Sequence, residues 1–362
     1  MTDPRLDRIA HDLMTGRLTR RAALRRAAAL GLALPALAHV HPAVAQGESF
    51  EVAYLTPGLN VPFWKYLSDG IKQQAARDAG TTGAEINVTD YDSRNDAGTQ
   101  LQNAQDAITA GVDLIIISPT DSSSAPTVLE VAKDAGVPVV IADIGTDEGE
   151  YVSFVISSNE QGAYDAGKVL TTKMEEAGFA GGEVLMITIS QARLNGKNRT
   201  LGITRAVEEA GSTIVQQLES EDYTRAEAQT QASDMLTANP EARGFFTQHD
   251  EAALGALTAI EEAGRQADLI FASFDGSPES VELIKQGKLV AAAMQQPVLM
   301  GRLSLEVGLK HLRGETVEKE TEVPTILVTP ENVADLESTL ADTVFPAEGG
   351  AATPAAGTPT AG

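Results

Sequence analysis

From residue 50 to residue 330, short apolar runs rich in β-branched residues alternate with stretches whose apolar positions recur every three or four residues. The runs at 51–55, 86–89, 114–118, 137–142 and 152–156 have strand length and are followed by polar or glycine-containing turns. After Asp96, a plausible helix N-cap, Ala97, Leu101, Ala104 and Ile108 fall on one helical face, and Gly111 closes the helix. Positions 114–117 are apolar without alternation, as in a parallel sheet covered by helices on both faces. A second series begins near Ser157. Helical Ala163, Ala166, Leu170 and Met174 lead to a strand at 183–189, a helix at 197–210 and a strand at 213–218, with further strands at 244–247, 269–274 and 289–294. Two successive βα series predict two similar α/β lobes, each an open, doubly wound parallel sheet. Ligands of such sheets bind beyond the carboxyl ends of the strands, which directs attention to Thr56, Ser118, Asp143, Gln248, His249, Asp250, Asp275 and Gln295.

The two ends break this pattern. Residues 1–46 contain adjacent Arg20 and Arg21, a mild Ala/Gly/Leu stretch at 27–38 without a polar side chain, and the small residues Ala43-Val44-Ala45. This resembles a twin-arginine export signal cleaved near Ala45, which would place the mature chain in the periplasm. Residues 348–362 are a small-residue, low-complexity stretch expected to be a disordered tail. No apolar run is long enough to span a bilayer, so no stable membrane insertion is expected. The net charge is −24; the first 46 residues hold seven basic and three acidic side chains, leaving 20 basic and 48 acidic ones and a net of −28. Such acidity argues against a phosphate-rich nucleic-acid partner. The absence of cysteine excludes disulfides, thiolate metal sites and a lipid-modified N-terminal cysteine.

Several strand ends lie in distinctive strings: LNVPFWKYLSDGIKQQA from Leu59, IIISPTDS from Ile115, PVVIADIG from Pro138, FFTQHDEAALGALTAIEEAG from Phe245, FASFDGSPE from Phe271 and KLVAAAMQQP from Lys288. In this order the chain resembles the ribose-type family of periplasmic sugar-binding proteins, with the type I periplasmic binding protein fold. The resemblance implies two lobes joined by three chain crossings near Ser157, Gln296 and 324–329. The first lobe is then expected at 50–156 plus 297–324, the second at 158–295, and a final crossing and C-terminal segment at 325–347. It also implies ligand contacts: Phe63 and Trp64 as the aromatic pair after the first strand, Tyr223 as the aromatic opposite, Asp143 and Asp275 as the carboxylates, Arg199 as the second-lobe arginine, and Gln295 beside a hinge. Departures are visible. Ile144 stands where ribose binders of the family carry an arginine, Ser118 and His249 replace asparagines, and Asn60 is displaced by one residue before Val61-Pro62. With Ile144 there, a less polar pocket and a smaller or less hydroxylated ligand than ribose are expected.

These residue types suit a neutral sugar or polyol. Flat rings of Phe63, Trp64 and Tyr223 match its C–H faces, the carboxylates accept from hydroxyls, and Arg199 donates. His249 is expected to hydrogen-bond the ligand; helix capping by Asp250 is the structural alternative for this run. No nucleophile triad, phosphate loop or metal-ligand cluster is apparent, so neither catalysis nor a cofactor is expected. The implied partners are the small solute and the permease of an ABC importer, with the protein acting as a monomer. Two alternatives share the core: a sensory or chemotaxis sugar receptor, and a sugar-responsive transcription regulator. A regulator would begin with a basic helix-turn-helix rather than an export-like segment.

Overall fold

A computed structural model describes residues 48–346; the expected signal segment and C-terminal tail lie outside them. The first lobe opens with β1 (Ser49–Thr56), α1 (Pro62–Thr82), β2 (Glu85–Asp92), α2 (Ala97–Ala110), β3 (Leu114–Ile117), α3 (Ala125–Asp134), β4 (Val139–Ala142) and β5 (Ser153–Ser157). The second follows with α4 (Asn159–Glu176), β6 (Glu183–Thr188), α5 (Leu194–Glu209), β7 (Thr213–Glu219), α6 (Arg225–Ala238), β8 (Gly244–Thr247), α7 (Asp250–Glu262), β9 (Ile270–Asp275), α8 (Pro278–Lys285) and β10 (Ala291–Met294). Then come α9 (Pro297–Leu312), β11 (Glu320–Val323), β12 (Ile326–Val328) and α10 (Val333–Thr343). The strands form two six-stranded sheets, β11-β5-β4-β3-β1-β2 and β12-β10-β9-β8-β6-β7. Among the described residues, only the β10–β12 pairing is antiparallel.

Alternation of side chains across each strand sorts the core into faces. In β1, β3 and β4, Val52, Tyr54, Leu114, Ile116, Val140 and Ala142 pack beneath α1 and α9, while Ala53, Leu55, Ile115, Ile117, Val139 and Ile141 pack beneath α2 and α3. Both faces being covered is the reason the central strands are apolar throughout; the edge strands β2 and β7 alternate between partly buried and exposed positions along most of their length. Asp96 does cap α2, accepting from Thr99 N–H at 2.6 Å, and Gly111 ends it in the left-handed region at φ 95°.

Three crossings join the lobes, after β5, after β10 and between β11 and β12. They are tied sideways: Ser158 N–H donates to Val323 O at 2.9 Å, and Gln296 Nε2 donates to Pro324 O at 2.7 Å. Helix α9 enters from the second lobe and lies on α1 so closely that a Cβ on Gly301 would sit 2.1 Å from Leu67 O, which requires glycine there. Residues 326–346 join the second lobe, through β12 and through Val333 and Leu340 of α10 and Val344 just after it in its core. Helix α10 also reaches back, its Asp342 paired with Arg302 of α9 at 2.8 Å.

The sequence pattern missed α6 because half of its buried face is alanine (Ala228 and Ala232, then Met235 and Leu236), a weak periodic signal. It missed β11 because ETEV has a charged composition and is held by backbone pairing to β5 at the sheet edge.

Candidate functional site

The carboxyl ends of both sheets face one another across a cavity of about 890 Å3 lined from both lobes. From the first lobe, the turn after β1 brings Asn60, the first turn of α1 brings Phe63 and Trp64, and the end of β4 brings Asp143. Pro62 at the first turn of α1 suits a helix start, and the two aromatic rings meet edge to face at 4.8 Å. From the second lobe come Arg199 of α5, Tyr223, His249, Asp275 at the end of β9 and Gln295 after β10. Nine of the ten residues expected at the site therefore converge. Ser118 does not line the cavity. It is fully buried, its hydroxyl 3.3 Å from that of Tyr54, and its carbonyl accepts from Gln100 Nε2.

Arg199 organises the second-lobe half. Its NH1 contacts Asp275 Oδ1 at 2.9 Å and donates to Gln248 O at 2.6 Å, its Nε donates to Asn159 Oδ1 at 2.8 Å, and its guanidinium lies 4.1 Å over the Phe274 ring. Gln295 Nε2 donates to the same Asp275 oxygen at 2.6 Å. On the first lobe, Asp143 Oδ2 accepts from Asn195 Nδ2 across the cleft at 2.9 Å. Asp143 Oδ1 and Gln295 Oε1 are buried acceptors with no protein partner. Asp143, Tyr223 and Asp275 all hold left-handed backbone, at φ 66°, 56° and 90°, a conformation that side-chain-bearing residues adopt at a cost.

Residues 52–316 match the sequence family described as a periplasmic binding protein domain. The chain belongs to the periplasmic binding protein family. Its ribose-type character is reflected in 31% identity to a ribose import binding protein of Salmonella typhimurium, across 76% of this chain and 90% of that protein. Among solved structures it resembles an ABC-transporter solute binding protein from Bacillus halodurans C-125 with bound myo-inositol (28% identity, TM-score 0.71, covering 81% of this chain and 99% of that one). It is similar also to one from Mycobacterium smegmatis with bound glycerol (29% identity, TM-score 0.71, 80% and 96%).

Three expectations about this binding-protein cleft change. His249 caps α7 itself, Nδ1 accepting from Ala252 N–H at 3.3 Å, and Nε2 then carries the proton toward Ser220 Oγ at 2.9 Å. With both ring nitrogens engaged, it offers the cavity ring surface rather than a hydrogen bond. Asp250 is the brace instead, accepting from Gly276 N–H and Ser280 Oγ beside Asp275. Ile144 turns fully into the first-lobe core, so it makes no apolar patch in the cavity. The Tyr223 hydroxyl accepts from Ser190 N–H at 3.0 Å, fixing the ring as a wall.

The sequence reading also missed Arg193 and Asn195, both buried and both lining the cavity. They follow β6, whose exit residue Ile189 is apolar. A search for polar strand ends passes over it, whereas applying the carboxyl-end rule to every strand reaches them.

Burial dominates the titration of the site. It raises Asp143 to about 6 against the pull of Arg199, and raises Asp250 to about 7 with help from the Asp275 charge. Burial, aided by Arg199 and Arg193, lowers His249 to about 3 and keeps it neutral. The two signs oppose. Asp143 favours the fold in its protonated form, so its contribution is full below its ordinary value of 3.8 and is lost as pH rises through about 6. His249 contributes above its ordinary 6.5 and loses that contribution as pH falls toward 3. Replacing Asp143→Asn isolates the first effect: relative to the parent, the variant should gain stability between about pH 4 and pH 6, by about 2–3 kcal/mol in urea titrations. A parent-minus-variant difference that is flat with pH would show that Asp143 is not held protonated.

Proposed function

We propose that the protein captures a small neutral sugar or polyol between its lobes and hands it to the permease of an ABC importer in the periplasm. The observation that carries this reading is the pairing of buried, unpartnered acceptors, Asp143 Oδ1 and Gln295 Oε1, with aromatic walls from both lobes, Trp64 and Phe63 facing Tyr223. Acceptors suit hydroxyl donors, and rings suit the C–H faces of a sugar or cyclitol. An anionic ligand would meet Asp143, Asp250 and Asp275 at close range, and a cation would compete with Arg193 and Arg199. A neutral polyhydroxy compound satisfies both sets. The ligands named for the similar solved structures, myo-inositol and glycerol, have this chemistry.

Capture works by bridging. A ligand bonded to Asp143 on one lobe and to the Arg199–Asp275–Gln295 group on the other favours the closed arrangement of the lobes, which is the form a permease reads. The binding proteins that this chain resembles support a binding role for the cleft. Residues 1–46 serve export by the twin-arginine route, leaving a monomeric mature protein beginning near Gln46.

A thermal-shift screen of the mature protein against pentoses, hexoses, deoxysugars, tetritols and inositols should find at least one compound that raises the melting temperature. Asp275→Ala and Trp64→Ala should each abolish that rise, and no shift from any compound would refute a sugar or polyol ligand. Sequencing the protein from a periplasmic fraction should give an N-terminus at Gln46 or Gly47; full-length protein confined to the cytoplasm would refute export.

A further inference from the structure

The cleft is held together on one flank by a single short segment. Residues 192–195, between β6 and α5, belong to the second lobe yet make a series of hydrogen bonds to the first. Ala192 O accepts from Ser122 N–H at 3.4 Å, Leu194 N–H donates to Ser122 Oγ at 3.1 Å, and Asn195 reaches Asp143 as described above. Arg193 is the centre of this group. Its Nε donates to Thr120 O at 2.9 Å and its NH2 to Asn95 Oδ1 at 3.0 Å, both in first-lobe loops. Its guanidinium lies 5.0 Å from the centroid of the Tyr223 ring of its own lobe, and the side chain is 8% exposed.

We infer that Arg193 is a positioning residue that latches the lobes and thereby sets how long a bound solute stays, resting on the capture reading above. The geometry gives it two tasks at once. Its fork is spent on acceptors that belong to the other lobe, so these bonds exist only when the lobes are together. Its flat face rests on Tyr223, the aromatic wall of the cavity, so a solute stacked on the other side of that ring would steady the latch. Asn95, its partner, is itself held at φ 55°, and Arg94 at φ 51°, which presents the Asn95 side chain to the guanidinium. A lysine has no planar fork and cannot serve Thr120 and Asn95 while stacked on a ring.

The absence of native cysteine allows a direct test. Spin labels at Gln105→Cys on α2 and Lys197→Cys on α5, both exposed, report the distance across this flank by pulsed electron resonance. The parent, Arg193→Ala and Arg193→Lys are compared without additive and with saturating D-ribose, glycerol or myo-inositol. In the condition that gives the parent its largest short-distance population, Arg193→Ala should lose most of that population and Arg193→Lys a part of it. For any of the three compounds that binds, stopped-flow release should be about tenfold faster or more in Arg193→Ala, with the association rate little changed. Equal short-distance populations in parent and Arg193→Ala, or a parent with no such population, would overturn the latch. Failure of all three compounds to bind the parent would count against the capture reading alone, since the distances measured without additive still decide the latch.

Discussion

The pair formed by Arg199 and Asp275 is the interaction on which the second-lobe half of the site depends. Arg199 is 2% exposed and joins α5 to the end of β8, the end of β9 and Asn159, the first residue of α4 after the hinge. A buried charge of this kind is tolerated because nearly every direction around it is answered by an acceptor or a ring; removing one partner of such a pair typically costs about 3–5 kcal/mol. Asp275 in turn is braced by Gln295, next to the second crossing, and Asp250 holds the Gly276 backbone beside it. The same few side chains that line the cavity therefore also fix the strands leading into the hinge.

The first lobe contributes in a different way. Asp143 leaves β4 in left-handed backbone, buried, with one oxygen held by Asn195 and the other unpartnered. A carboxylate in that setting carries a desolvation cost that a hydroxyl donor relieves. Strain and unsatisfied burial coincide at one residue, and its counterpart Asp275 stands across the cleft in the same kind of backbone.

Much of this was legible in the chain. The unbroken apolar run at 114–117, the cap at Asp96 and the glycine at 111 specify covered parallel strands and helix ends by local rules alone. The ordered strings around Phe63, Asp143, His249, Asp275 and Gln295 located the cavity, because each lies at the carboxyl end of a strand. What the chain concealed was direction. Whether His249 turns its nitrogens to a ligand or to the Ala252 N–H of its own helix and the distant Ser220, and whether Ile144 faces cavity or core, depends on packing that no single local pattern records. The contacts of Arg193 were concealed for a related reason: its partners Asn95 and Thr120 belong to the other lobe, and no local pattern records a contact between lobes.

The central claim is that a solute sits between the aromatic wall of the first lobe and the charged group of the second. Trp64 is the sole tryptophan of the chain and lines the cavity, so its emission reports directly on that space. Titrating the mature protein with a compound shown to bind by calorimetry should change Trp64 emission saturably, with the calorimetric affinity, and should protect it from collisional quenching. A compound that binds in the calorimeter while leaving Trp64 emission and quenching unchanged would place the solute elsewhere and contradict the account.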